Sequence, residues 1–360
     1  MPDDRRLTTD DRLVDNEHLS SSVVRRSSIV ASAPAKLILC GEHAVVYGRP
    51  AIALPLSSIR AHAEICAGEP GSGIVLRARD LERRWNIADE PDDPLSALVA
   101  DTLKYLEIQS ALGSQQSADL SITITSDIPI ASGMGSGASV ATALVRALAQ
   151  FFGHSVANEH ISVLVFESEK RLHGTPSGID NTVVAYERPV WFQRTTDDRR
   201  PTTDEVALPS SIIKPIAIAA PFTLLIGDTG VRSATRLPVG DVRRRWQADP
   251  AGYEALFDGV GAVVAQVRVA LARGDIATLG LLLNENHALL QQIGVSSPEL
   301  DRLVAAAREA GALGAKLSGA GWGGVMLALV GPNRRVAVVD ALHAAGATRV
   351  LATEVMATQE

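Results

Sequence analysis

The chain has 360 residues, which at roughly 100–200 residues per domain allows two domains or one large core with two lobes. Its 34 Lys and Arg stand against 41 Asp and Glu, a formal net charge of −7. No basic stripe stands out, so a nucleic-acid partner, which needs clustered cations against the phosphate backbone, is not expected. The two cysteines, Cys40 and Cys66, lack zinc-site spacing and read as free thiols of a reducing, cytoplasmic compartment.

Residues 1–28 hold eleven charged side chains of mixed sign among Ser and Thr, and are expected to be a disordered polar tail. Paired arginines precede Ala31-Ser32-Ala33, but Ser27 to Val30 cannot supply the apolar stretch of about 7–15 residues that a secretory leader needs. Apolar runs such as Ile216 to Ile226, broken by Pro221, fall well short of the ~18 residues of a membrane span, so no membrane partner is expected. From Ile29 to Ile65, short apolar runs separated by Gly and Pro predict strands with turns at Gly41, at Gly48-Arg49-Pro50 and at Pro55. Leu120 to Ile124 alternates apolar and polar residues, the pattern of a half-buried strand. Helical spacing follows over Ser139–Phe152 and Asn158–Leu172.

The polar stretch Arg194–Asp204 reads as a loop near a lobe boundary, with strands resuming at Ile212. Helices are expected around Tyr253–Arg273, Ile276–Ile293 and Glu299–Ala310, then strands over Val325–Val330 and Val350–Val355. Segregated strands and helices favour an α+β fold, divided as 29–195 and 212–360.

Chemistry concentrates in four segments. Pro129-Ile130-Ala131-Ser132-Gly133-Met134-Gly135-Ser136-Gly137-Ala138-Ser139 leads from a strand through glycines into an apolar helix. Converging backbone N–H groups and the positive end of a helix make such a turn an anion cradle suited to phosphate. The relaxed dinucleotide pattern and a purely structural turn fit it too, whereas a P-loop does not, since no Lys follows the glycines. Next, Glu169 shares a helix face with Val165 and Leu172, where a carboxylate takes either a cation or a metal ion as partner. It precedes His173-Gly-Thr-Pro-Ser-Gly-Ile-Asp180, in which Asp180 also suits a plain turn cap. Lys36, Glu42 and His43 lie on an apolar strand and its turn, either clustered or simply solvated. Lys316-Leu-Ser-Gly-Ala-Gly-Trp-Gly-Gly-Val325 is a second glycine-rich loop or a compact connector.

In this order the four segments resemble the GHMP kinase superfamily. Gly41-Glu-His-Ala-Val-Val-Tyr-Gly48, His173 to Asn181 and Asn284-Glu-Asn-His-Ala-Leu-Leu-Gln-Gln-Ile-Gly-Val-Ser296 make the resemblance closest to the mevalonate kinases. It extends from about Ile29 to the carboxyl terminus and includes Asp228-Thr-Gly-Val-Arg-Ser-Ala-Thr235. The resemblance implies a two-lobed α+β fold with the active site in the interlobe cleft, and transfer of the γ-phosphoryl of ATP to the 5-hydroxyl of mevalonate. It implies Asp180 and Lys36 as catalytic residues, Pro129 to Ser139 as the ATP phosphate loop, and Glu42, His43 and Thr235 toward the substrate. Glu169 and Ser136 are implied as ligands of Mg²⁺.

Three positions depart from the family pattern. Gly137 replaces the second of two adjacent serines, leaving Ser136, Ser139 or water to complete the metal site; Trp322 stands where glycine is frequent, and Arg232 where proline is. Homoserine kinase, galactokinase and mevalonate diphosphate decarboxylase would share the fold. The galactokinase and decarboxylase signatures are missing, and the Glu42-His43 turn favours mevalonate. A non-catalytic binding protein of this fold is expected to lose Asp180, Lys36 or Glu169, all of which are present. Among partners, a homodimer stays open.

Overall fold

The computed structural model describes residues 28–107, 119–129, 132–173, 176–194, 211–233 and 235–358. The expected tail up to residue 27, Ile130 and Ala131 of the glycine loop, and the Arg194–Asp204 loop beyond its first residue lie outside the described residues.

Strands β1 (Ile29–Cys40) and β2 (Pro50–Ala67) form a long antiparallel hairpin whose register shifts at Pro34/Ala35 and at Ile38/Cys40. Along its other edge, β2 pairs with β6 (Val190–Arg194) through 50–53 and with β5 (Leu120–Ser126) through 61–67. Pro55 sits in the gap between those two partners, opposite Lys36, so it lies inside a strand and not at a turn as expected. A missing N–H disturbs no ladder there. With β3 (Ile74–Ala78), β4 (Arg83–Asn86) and β7 (Ser211–Pro215) this makes a seven-stranded sheet, all antiparallel except β3 with β5. β8 (Phe222–Asp228), β9 (Gly314–Ser318), β10 (Val325–Val330) and β11 (Arg349–Val355) form a four-stranded antiparallel sheet in the order β11-β8-β10-β9. The strand resuming near Ile212 therefore belongs to the first sheet, and the chain crosses after Pro215.

Nine helices are described: α1 (Pro94–Tyr105), α2 (Ser136–Phe151), α3 (Asn158–His173), α4 (Ile179–Tyr186), α5 (Arg236–Ala248), α6 (Pro250–Arg273), α7 (Ile276–Ile293), α8 (Pro298–Glu309) and α9 (Arg335–Ala344). Side-chain oxygens of Asp93, Asp249, Asp275 and Ser297 cap α1, α6, α7 and α8, and proline follows the cap in three of them. By contrast α2, α4 and α5 begin at Gly135, Gly178 and Thr235 with no side-chain cap, so their first N–H groups are left for other acceptors.

Contrary to the sequence expectation, α6 is long and apolar enough to cross a membrane by length and composition, with a mean hydropathy of 1.6. Scattered Glu254, Asp258 and Arg268 hide this in a search for continuous runs. The helix buries Phe257, Val260, Val263, Val264 and Val267 in the protein core, while Glu254 and Asp258 hold Arg49. That core is shared: Leu37, Ile52 and Leu54 of the hairpin pack in one cluster with α6 and with Leu224 and Leu327 of the second sheet. The opposite end of the hairpin, Ala33 and Ile65, packs with α2 and α3 in a separate cluster.

Candidate active site

Lys36 lies in strand β1, where its backbone N–H donates to Met134 O at 3.0 Å and fixes the glycine loop against the strand. Its ammonium, almost fully buried, lies 3.0 Å from Asp180 Oδ1. Asp180 occupies the first turn of α4, behind Gly178 at φ 90°, and its side chain stays 31% exposed. Asn181 anchors that helix to α3 by donating to Ser162 Oγ at 2.8 Å and Ser162 O at 3.1 Å. The aspartate thus faces solvent from a fixed helix start, paired with a buried lysine.

The loop before α2 is shaped by two left-handed glycines, Gly133 (φ 80°) and Gly135 (φ 73°). A Cβ on Gly135 would sit 2.7 Å from Lys36 Cγ, so only glycine lets the lysine stem lie along the loop. Across the cleft, a Cβ on Gly133 would meet Gly319 Cα at 3.8 Å, so the loops of the two sheets meet glycine to glycine. Gly133, Gly135, Ser136 and Gly137 are accessible, whereas Ser132, Met134, Ala138 and Ser139 are buried. Ser139 Oγ bonds Pro34 O at 2.7 Å and Gly135 O at 2.8 Å, which places it behind the loop and away from any ligand.

Glu169 reaches the start of α2 from α3. It is buried, although Leu172, expected on the same inward face, is 47% exposed. Burial, and secondarily the Asp180 carboxylate, push its pKa up to about 8, against an opposing pull from Lys36. A Cβ on Gly137 would lie 2.7 Å from Glu169 Oε1, so glycine at this position lets the carboxylate pack against the helix backbone where a side chain would crowd it.

Glu42 and His43 follow β1 in the tight turn before β2. Glu42 is only 1% exposed, and its Oε1 accepts from Lys316 Nζ of β9, which is fully buried. Lys316 Nζ also donates to Leu317 O at 2.5 Å. Burial raises the Glu42 pKa in spite of Lys316 and the more remote Lys36. His43 takes φ 60°, and its Nε2–H donates to Ala320 O at 2.9 Å; burial lowers its pKa to about 4, so the ring is neutral. Thr235 is exposed at the head of α5 and lines a cleft with Ser132, Gly133, Ser318 and Ala320.

The two departures in the C-terminal half are structurally accommodated. Arg232 clasps the buried Asp228 with two bonds, at 2.7 and 2.8 Å. Trp322 adopts φ 56°, the backbone region glycine prefers, and its indole N–H bonds Gly294 O at 3.0 Å. The structure thus gathers Lys36, Asp180, Glu169 and the glycine loop, with His43 and Thr235 bordering the same cleft and Glu42 sealed beneath it. Lys316 is the participant that sequence reasoning passed over, because its partner lies 274 positions away.

Residues 97–188 match the GHMP kinases N terminal domain, and residues 267–348 match GHMP kinases C terminal. Mevalonate kinase of Thermococcus sibiricus is 34% identical over 333 residues, 88% of this chain and 93% of that protein. Mevalonate kinase of Pyrococcus horikoshii is 34% identical over 331 residues, with the same coverage of 88% and 93%. Among solved structures, L. major mevalonate kinase in complex with R-mevalonate superposes with a TM-score of 0.75 at 32% identity, covering 93% of this chain and 97% of that one.

Proposed function

The chain belongs to the mevalonate kinase family of GHMP kinases, and from that membership we propose that it transfers the γ-phosphoryl group of ATP to the 5-hydroxyl of mevalonate, in isoprenoid precursor synthesis. The observation that carries the site assignment is the 3.0 Å Lys36–Asp180 pair opening toward the accessible glycine loop. Phosphoryl transfer asks little covalent work of a protein, so positioning and charge neutralisation dominate.

Each residue then has a task. The accessible Gly133, Gly135, Ser136 and Gly137 offer backbone N–H groups to the ATP phosphates at the uncapped start of α2. Asp180 accepts the hydroxyl proton while Lys36, 3.0 Å from its Oδ1, holds the carboxylate in place. His43, from the turn after β1, and Thr235, from the head of α5, border the substrate, whereas Glu42, expected there, is buried beneath the cleft against Lys316.

Mg²⁺ fits the oxygen donors present. Glu169 supplies a carboxylate and Ser136 a hydroxyl, and Gly137 between them lets Glu169 Oε1 reach the start of α2, where a Cβ would lie only 2.7 Å from it. Among the described residues no cluster of three acidic, His or Cys side chains forms a complete cage, as suits an ion that shares its shell with phosphates and water. When bound, the ion supplies charge neutralisation at the phosphates.

The same reading places the enzyme in the cytoplasm without nucleic-acid or membrane partners. A coupled ADP-release assay against mevalonate, homoserine, galactose and mevalonate 5-phosphate tests the function. Efficient turnover of mevalonate alone is expected, and comparable rates on homoserine or galactose would overturn it.

A further inference from the structure

The active cleft holds more buried charge than the reaction explains. Lys316 is fully inaccessible on β9 of the second sheet, yet its ammonium pairs with Glu42 of the first, which is itself 1% exposed. Glu42 Oε2 is likewise buried and accepts no hydrogen bond among the described residues. Two neighbouring apolar residues of similar volume would stabilise such a place at least as well as an ion pair, so stability alone does not account for the charges.

Lys36 supplies the explanation. Its ammonium is paired with Asp180 at 3.0 Å, and it also attracts the Glu42 carboxylate at longer range. Glu169 draws on the same ammonium. One lysine thus stands among three carboxylates, and Glu42 has a second cation, Lys316, bonded to it.

We infer that Lys316 is a positioning residue for phosphoryl transfer: by neutralising Glu42 from the far side, it leaves Lys36 to Asp180. The inference rests on the assignment of Asp180 and Lys36 to the reaction. Lys316 is itself held rigidly. Nζ donates to Leu317 O, and the outer edge of β9 is tied to its flanking helices by Asn284, which accepts from Ala315 N at 2.9 Å, and by Arg308, which donates to Ala315 O at 2.6 Å. Without Lys316, the buried Glu42 would have Lys36 as its nearest cation, and Asp180 would lose its partner to it.

A double-mutant cycle tests this, using Lys316→Met, Glu42→Gln and the double variant with mevalonate and Mg-ATP. Lys316→Met is expected to lower kcat by more than about tenfold while KM for ATP stays within about threefold. In the Glu42→Gln background, where no carboxylate competes for Lys36, the same change is expected to cost less than about threefold relative to Glu42→Gln alone. A purely structural lysine would lower the melting temperature and the yield of active enzyme while leaving kcat per active site of the folded Lys316→Met protein within about threefold of wild type, and that result overturns the inference. Should Lys316→Met fail to accumulate as folded protein, the comparison between Glu42→Gln and the double variant still decides: a drop of about tenfold or more there overturns it. Recovery of a folded and active double variant supports it. Wild-type turnover of mevalonate separately checks the assignment on which the inference rests.

Discussion

Asp180→Asn is the sharpest perturbation of the site. The substitution keeps the size of the side chain and its ability to hold a hydroxyl, while removing the charge and the capacity to take a proton. General-base help is worth about 10²–10⁴-fold, or roughly 3–5 kcal/mol of barrier, and kcat is expected to fall by that much. The cost to folding is smaller. Breaking a fully buried pair costs about 3–5 kcal/mol, but Asp180 is 31% exposed, so a loss of about 1–2 kcal/mol is expected. Lys36 also keeps the attraction of Glu169. Mg-ATP affinity should barely move, because the phosphate loop is built on backbone donors of α2 and not on Asp180. Single-turnover kinetics with a separate measurement of nucleotide binding distinguishes these effects. If the folded variant retains more than about a tenth of wild-type kcat, Asp180 is not the base and serves only to cap the turn.

Gly135→Ala places a Cβ 2.7 Å from Lys36 Cγ at φ 73°, so it is expected to lose about 1–2 kcal/mol to left-handed strain and more than about tenfold in kcat by displacing the lysine. Wild-type activity in that variant would show that the loop yields. Glu169→Gln removes a metal ligand's charge and is expected to raise the Mg²⁺ concentration needed for half-maximal rate, with an unchanged requirement speaking against the assignment. His287 supplies a pH test: burial, with Arg308 and Lys316 adding to it against Asp301, lowers its pKa to about 4. The unfolded state then binds the extra proton first as pH falls from 6.5 toward 4, so this contribution is complete above pH 6.5 and is lost below it. Urea unfolding is expected to show wild type losing about 2 kcal/mol more between pH 7.5 and 5 than His287→Gln does. Comparing the two proteins cancels the opposite contribution of Glu169, whose raised pKa makes the folded state the stronger proton binder. Equal pH dependence would mean that the imidazole is not held neutral by its surroundings.

Much of the scaffold could be read from local rules. The alternation of Leu120 to Ile124 became β5, and Asp249-Pro250 and Ser297-Pro298 start α6 and α8 as a side-chain cap followed by proline should. The short elements escaped. α4 has eight residues, and its first turn bears Asp180 behind a left-handed glycine, so it resembles a turn followed by a brief apolar run. The strands β3 and β4 carry Arg77, Arg83 and Arg84, which mask their period. Within the site, the family resemblance singled out Lys36, Asp180 and Glu169, which the structure brings together, but it could not show that Glu42 lies beneath the cleft. That depends on Lys316, a contact between sheets that no local pattern encodes.

The joining of the two sheets and the arrangement of the site have the same physical origin. The β1–β2 hairpin contributes Leu37 and Ile52 to a core completed by α6 and the second sheet, and the same strand carries Lys36. Ser318 Oγ donates to Ile38 O at 3.0 Å and Lys316 pairs with Glu42, so polar ties cross the same junction. Parting the sheets would expose that apolar core and strand a buried ammonium and carboxylate, each costing several kcal/mol. Lys36 therefore stands on a strand tied to both sheets. What stays accessible is the cleft rim, where Gly133, Thr235 and the 31%-exposed Asp180 meet solvent. Helices α2 and α5 begin at that rim with no side-chain cap, and a helix start of that kind is what a phosphate-binding cleft uses and a purely structural junction does not need.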